Sequence, residues 1–146
     1  MVSKTLFSSN RDNWSTPQFL FDDLNKEFHF TLDPASDDLN AKCERHYTLL
    51  DDGLSKSWAG ERVWLNPPYG RTIGLWMEKA YKESLRGTLV VCLVPARTDT
   101  QWFHKWVVNC PNVVIRFIKG RLHFDDSKTA APFPSMIVVY KPVSEV

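Results

Sequence analysis

The chain has 146 residues, 43% of them hydrophobic and 24% charged, with a formal net charge of +1. That is enough for one sizeable core. No apolar run approaches the ~20 residues of a membrane helix, no signal-peptide stretch opens the chain, and net charge alone does not announce a nucleic-acid binder. The expectation is one cytoplasmic domain over 1–146 with residues 1–13 polar and loosely held. Cys43, Cys92 and Cys110 are widely spaced and include no CxxC pair, so neither a disulfide framework nor a metal site is expected.

In chain order, Ser15-Thr16-Pro17 reads as a helix start, a hydroxyl cap followed by Pro at the first helical position. Leu20, Leu24 and Phe28 then recur every four residues as one buried stripe. Phe28, Phe30 and Leu32 switch to period two, a strand stopped by Asp33-Pro34. Val63-Trp64-Leu65 is a short buried strand that ends at Asn66-Pro67-Pro68-Tyr69. Ile73, Trp76, Met77, Ala80 and Tyr81 give helical spacing, with Gly87 placed for a C-terminal cap. Residues 89–94 form a continuous apolar run suited to a central strand covered on both faces, ending at Pro95-Ala96-Arg97. Thr98 or Asp99 can cap the next helix, whose apolar positions are Trp102, Phe103, Trp106 and Val107. Strands follow at 113–118 and 136–140, the second behind Ala131-Pro132-Phe133-Pro134. Strand and helix alternate, so the fold class is α/β with a mainly parallel sheet. Ligands of such sheets bind beyond the carboxyl ends of the strands, where Asp33-Pro34, Asn66–Tyr69 and Pro95–Arg97 all fall.

Asn66-Pro67-Pro68-Tyr69 carries the most chemistry, because it resembles a motif that grips a conjugated amine for methylation. A conjugated amine is a poor nucleophile because its lone pair is delocalised. An Asn side-chain oxygen and the next backbone carbonyl can accept its two hydrogens and favour a tetrahedral nitrogen. Pro67 and Pro68 fix φ near −65° and push their predecessors into extended conformations, presetting those acceptors. Tyr69 offers a face for a base to stack on. The plain structural alternative is a Pro-Pro turn with Tyr69 as a lid over the core.

This tetrad resembles the catalytic motif of methyltransferases that modify planar amino groups. With Trp14–Pro17, Phe30–Ala35, Asn40–Cys43, Leu93–Thr100, Trp102–His104, Lys119–Phe124 and Ala131–Ser135 it makes the chain similar, over roughly residues 13–140, to the small phage-type DNA adenine methyltransferases, the phage Dam family. The resemblance implies a reduced, Rossmann-like S-adenosylmethionine-dependent methyltransferase fold. It implies methyl transfer to the N-6 amine of a flipped adenine in double-stranded DNA, in a phage or prophage protein of a bacterial host. Asn66, Pro67, Pro68 and Tyr69 are the implied catalytic residues. Thr16 and Pro17, beside the methionine end of the cofactor, join Asp33, Pro34, Ala35 and Asn66 as the implied cofactor contacts. The chain departs from the wider superfamily at Ser36–Asn40, where a Gly-rich loop is replaced by a glycine-free one. Asp37 and Asp38 are equivalent candidates for the ribose hydroxyls.

Displacement at a sulfonium needs positioning rather than a nucleophilic residue or metal. His104 reads as a phosphate contact or surface residue. Extruding a base costs a few kcal/mol, offset in part by stacking worth ~1–3 kcal/mol. With no room for a separate recognition domain, DNA contact falls to loops on the same rim. Arg97, Lys119, Arg121 and His123 are the candidates, in a segment where Arg116 and Lys128 add charge, on a monomer or homodimer. Two other classes compete: an amino-methyltransferase acting on cytosine N-4, RNA or protein glutamine, and a non-catalytic nucleic-acid-binding module.

Overall fold

The computed structural model describes residues 13–126 and 128–144; all but the last residue of the segment expected to be loose lies outside the described residues. Helix α1 (Gln18–Phe28) buries Phe21 and Leu24. It stops where His29 turns left-handed at φ 54° and donates its N–H to Asn25 O. Its start differs from the expected hydroxyl cap. Pro17 is itself the cap, extended at ψ 133°, with no side-chain bond to the helix, because the Thr16 hydroxyl is engaged by Asn66. The strand expected after α1 shrinks to single bridges, Leu32 parallel to Val63 and Asp33 parallel to His46. Thr31 and Leu32 both donate their N–H to Arg62 O, which breaks the regular spacing of a ladder.

Strand β1 (Arg62–Leu65), helix α2 (Ile73–Ser84) and strand β2 (Leu89–Pro95) follow as expected. Beyond α2, Gly87 at φ 96° lets Gly87 N–H and Thr88 N–H reach the Ser84 and Glu83 carbonyls, as a glycine C-terminal cap should. Helix α3 (Gln101–Phe103) runs into a π-helical turn over His104–Val108. Its cap is Thr100, whose Oγ1 accepts from Phe103 N at 3.3 Å, rather than Thr98 or Asp99. Strands β3 (Val113–Phe117) and β4 (Ser135–Tyr140) complete the described sheet.

The strand order is β1-β2-β4-β3. β1 and β2 are parallel, while β4 lies between β2 and β3 and runs against both. The expectation of a mainly parallel sheet is therefore corrected to a mixed one. A parallel return needs a crossover, usually a helix. Among its described residues the 118–134 connection contains only a single 3-10 turn, Phe124–Asp126, so the chain re-enters at the end it left and β4 runs back. α1 covers one face of the sheet, where Phe21 meets Trp64 edge-on at 5.6 Å. On the other, Tyr140 donates its hydroxyl to Trp106 O at 2.6 Å.

The registers fix where the strands end. Leu65 sits opposite Cys92, and Val94 and Phe117 both sit opposite Met136. β1, β2 and β3 therefore point the same way. The loops after Leu32, Leu65, Pro95 and Phe117, with the one leading into β4, share one rim.

Candidate active site

On this rim a cleft of about 450 Å³ opens between the residue 34–40 loop, the 48–53 loop, the Asn66 loop and the segment before α1. Pro34, Ala35, Asn66 and Pro68 line it, with Trp14, Asp37, Asp38, Asp52, Gly53 and Trp76. Among the described residues that line it three are aspartates and none is Lys or Arg, so this wall favours a cation over a phosphate. The 48–53 loop closes tightly on the Asp33-Pro34 loop. A Cβ on Gly53 would stand 2.1 Å from Pro34 O, which no side chain tolerates.

Asn66 has a determinate orientation. Its Nδ2 donates to the Trp14 carbonyl and to Thr16 Oγ1 at 3.0 Å. A carbonyl can only accept, so the amide nitrogen must face Trp14 and the oxygen must face away. That oxygen, Oδ1, is buried and receives no hydrogen bond. An unsatisfied buried acceptor costs ~1–3 kcal/mol, and such atoms in native proteins call for an explanation. The Trp14 carbonyl is held in turn by its ring, which meets Phe124 at 5.3 Å and Phe133 at 5.1 Å, both edge-on.

Thr16 and Pro17 are buried and, unlike Asn66, do not line the cleft. Asp33 lies beneath the cleft wall, 3% exposed. Its Oδ2 accepts from Lys42 N at 2.9 Å while Oδ1 is buried without a partner. Burial pushes its carboxyl up to about 6, against the pull of the Lys42 and Ala35 backbone N–H groups. In this structure Asp33 ties down the 41–47 segment, since its backbone also exchanges bonds with Arg45 and Tyr47. The two ribose candidates separate: Asp38 is paired with His46 Nε2 at 2.9 Å, and Asp37 Oδ1 accepts from Leu39 and Asn40 N–H.

Pro67 is buried outside the cleft lining. Tyr69 is 5% exposed, donates its hydroxyl to Leu93 O at 2.9 Å and meets Phe124 and Phe133 edge-on at 6.2 and 5.7 Å. Its ring is thus part of an aromatic cluster with Trp14 rather than an open platform. Arg97, Lys119, Arg121 and His123 are all exposed and stand on the same rim, outside the cleft. The Arg97 guanidinium lies 5.5 Å from the Phe133 ring, and Arg121 reaches Ala131 O at 3.4 Å. Arg116 is different, held by Glu27 through two bonds of 2.7 and 2.6 Å. Among the described residues no helix could cross a membrane and no acid, His or Cys cluster could hold a metal.

Sequence reasoning missed Asp52, Gly53 and Trp76. Asp52-Gly53 carries a turn signal, and Asp52 adopts φ 56°, but an Asp-Gly pair marks a turn without saying what it faces. Trp76 reads as core by its helical spacing, and at 8% exposure it is nearly that.

Over residues 3–145 the chain matches the model of the family described as DNA N-6-adenine-methyltransferase (Dam). It is 26% identical over 149 residues to a DNA N-6-adenine-methyltransferase of Haemophilus phage HP1 (strain HP1c1), an alignment covering 97% of this chain and 86% of that protein. It is 31% identical over 106 residues to a DNA N-6-adenine-methyltransferase of Escherichia phage T1, covering 71% of this chain and 44% of that protein.

Proposed function

The chain belongs to the DNA N-6-adenine-methyltransferase family, and from that premise we propose that it transfers a methyl group from S-adenosylmethionine to the N-6 amine of an adenine flipped out of duplex DNA. The observation that carries the reading is the Asn66 amide. Its nitrogen is consumed by Trp14 O and Thr16 Oγ1, leaving Oδ1 buried and unpaired in a residue that lines the cleft. An acceptor held there takes a hydrogen from the incoming amine and leaves its lone pair free for the methyl group. Preorganised acceptors of this kind act without reorganising during the reaction.

The cleft suits the cofactor. Its volume falls within the ~300–1,000 Å³ of small-molecule sites. Its aspartates complement a cationic ligand bearing hydroxyl donors, and Pro34, Ala35 and Trp76 supply apolar wall. Asp52 joins Asp37 and Asp38 as a candidate acid for the ribose hydroxyls, all three lining the cleft. When bound, the cofactor supplies an activated methyl on a sulfonium. Asp33 supports this wall from below by holding Lys42 N. The DNA backbone lies across Arg97, Lys119, Arg121 and His123, outside the acidic cleft, so the two ligands meet surfaces of opposite charge. Stacking of the base on Tyr69 requires Phe124 or Phe133 to give way, because both cover the ring here.

The test is methyl transfer from labelled cofactor to duplex DNA, followed by digestion to nucleosides. N-6-methyl-2′-deoxyadenosine is the expected product, and Asn66→Ala is expected to lower the rate ~100–1000-fold while the fold and cofactor affinity persist. Near-normal turnover by that variant would overturn the role of Asn66; a methylated cytosine would overturn the substrate.

A further inference from the structure

Thr16 sits 50 residues from Asn66 in sequence, buried and outside the cleft lining. Its hydroxyl neither caps α1 nor faces the space a ligand would fill. What Oγ1 does is accept one of the two Asn66 Nδ2 hydrogens at 3.0 Å. The other goes to the Trp14 carbonyl. The carbonyl can only accept, so it disfavours the rotation that would exchange Nδ2 and Oδ1; the hydroxyl, able to accept or donate, holds the amide in the plane that the carbonyl selects. In the exchanged state Oδ1 would oppose the Trp14 carbonyl and an N–H pair would take the place of the unpaired oxygen. A donor there repels an amine that must give up a hydrogen.

We propose that Thr16 is a positioning residue, anchoring the Asn66 amide in the plane in which the Trp14 carbonyl turns its oxygen toward the substrate amine; the inference rests on the role given to Asn66 above. The hydroxyl contributes through Asn66 and not through the cofactor. Thr16→Val keeps the side-chain shape and removes the hydroxyl, and Thr16→Ser restores it. One neutral hydrogen bond is worth ~0.5–1.5 kcal/mol, so Thr16→Val should slow single-turnover methyl transfer about 3- to 10-fold at saturating cofactor and DNA. The cofactor dissociation constant should be unchanged, and Thr16→Ser should recover most of the rate.

A second readout needs no activity. In the cofactor-free protein the Asn66 side-chain N–H resonances, assigned by their loss in Asn66→Ala, should move in Thr16→Val and stay near their original positions in Thr16→Ser. Several results overturn the proposal. If Thr16→Val weakens cofactor binding but transfers normally at saturation, Thr16 is a cofactor contact. If Thr16→Ser and Thr16→Val lose stability and rate alike, the residue merely packs. If the Asn66 resonances do not respond to Thr16→Val, the hydroxyl does not set the amide. Failure of the underlying reading is distinct, because it shows as full transfer by Asn66→Ala, whatever Thr16 does.

Discussion

Asp33→Asn isolates a single buried charge. Burial raises the folded carboxyl from an ordinary 3.8 to about 6, so the folded protein holds this proton more tightly than the unfolded chain. Its stabilising contribution is complete below about 3.8 and is lost as pH rises through about 6. A shift of roughly two units at ~1.4 kcal/mol per unit makes the ionised carboxylate about 3 kcal/mol unfavourable at pH 7. With 3% exposure there is little solvent to screen it. The amide of the variant is neutral at every pH, and its oxygen can still accept from Lys42 N. Urea unfolding of both proteins from pH 4 to 8 cancels, in the difference, the titrating groups that do not interact with Asp33. The stability of Asp33→Asn relative to the parent should climb with pH by up to about 3 kcal/mol, most steeply between the unfolded value of 3.8 and the folded value of about 6, and level off above it. A pH-independent difference, or one that falls as pH rises, would refute the reasoning.

Tyr69→Phe removes the buried hydroxyl bond to Leu93 O, at a cost of ~1 kcal/mol; a melting point lowered by about 2–4 °C, with transfer by the folded fraction intact, is the expected outcome of calorimetry paired with a rate assay. Lys119→Ala and Arg121→Ala should each weaken DNA binding, and where the lost contact is to phosphate the slope of log affinity against log salt should fall by about one. Arg116→Ala, already saturated by Glu27, should leave DNA affinity and slope unchanged, and titrations of the three variants at several salt concentrations compare them directly.

Periodicity made the local elements legible. Leu20, Leu24 and Phe28 mark α1, the apolar run at 89–94 marks β2, and Gly87 marks the end of α2, because each signal is written in neighbouring residues. Strand direction is not written that way. Met136 to Tyr140 read the same whether β4 runs with β2 or against it, and only the helix-poor connection before it hints at the return. The rim was legible from where Asp33-Pro34, Asn66–Tyr69 and Pro95–Arg97 break the apolar runs. The partners of its side chains were not. Ser15-Thr16-Pro17 has the local grammar of a helix cap, yet Thr16 bonds a residue on another loop. Tyr69 reads as an aromatic at the strand end, and only the arrival of Phe124 and Phe133 from more than 50 residues away buries it.

The position of β4 has a bearing on how the chain reaches its native state. β4 is the last described strand to be synthesised, yet it occupies the interior of the sheet between β2 and β3. Until it emerges, β2 and β3 have no common neighbour, and each shows an unpaired apolar edge of the kind that recruits other chains. Pairing Val90 with Tyr140 closes a long loop before it is rewarded, which slows folding. The nascent polypeptide is therefore most vulnerable to misassembly just before β4 is released. A shortened chain ending ahead of Ser135 would lack the element that joins its two sheet halves, and would be a substrate for chaperones or proteases rather than a smaller enzyme.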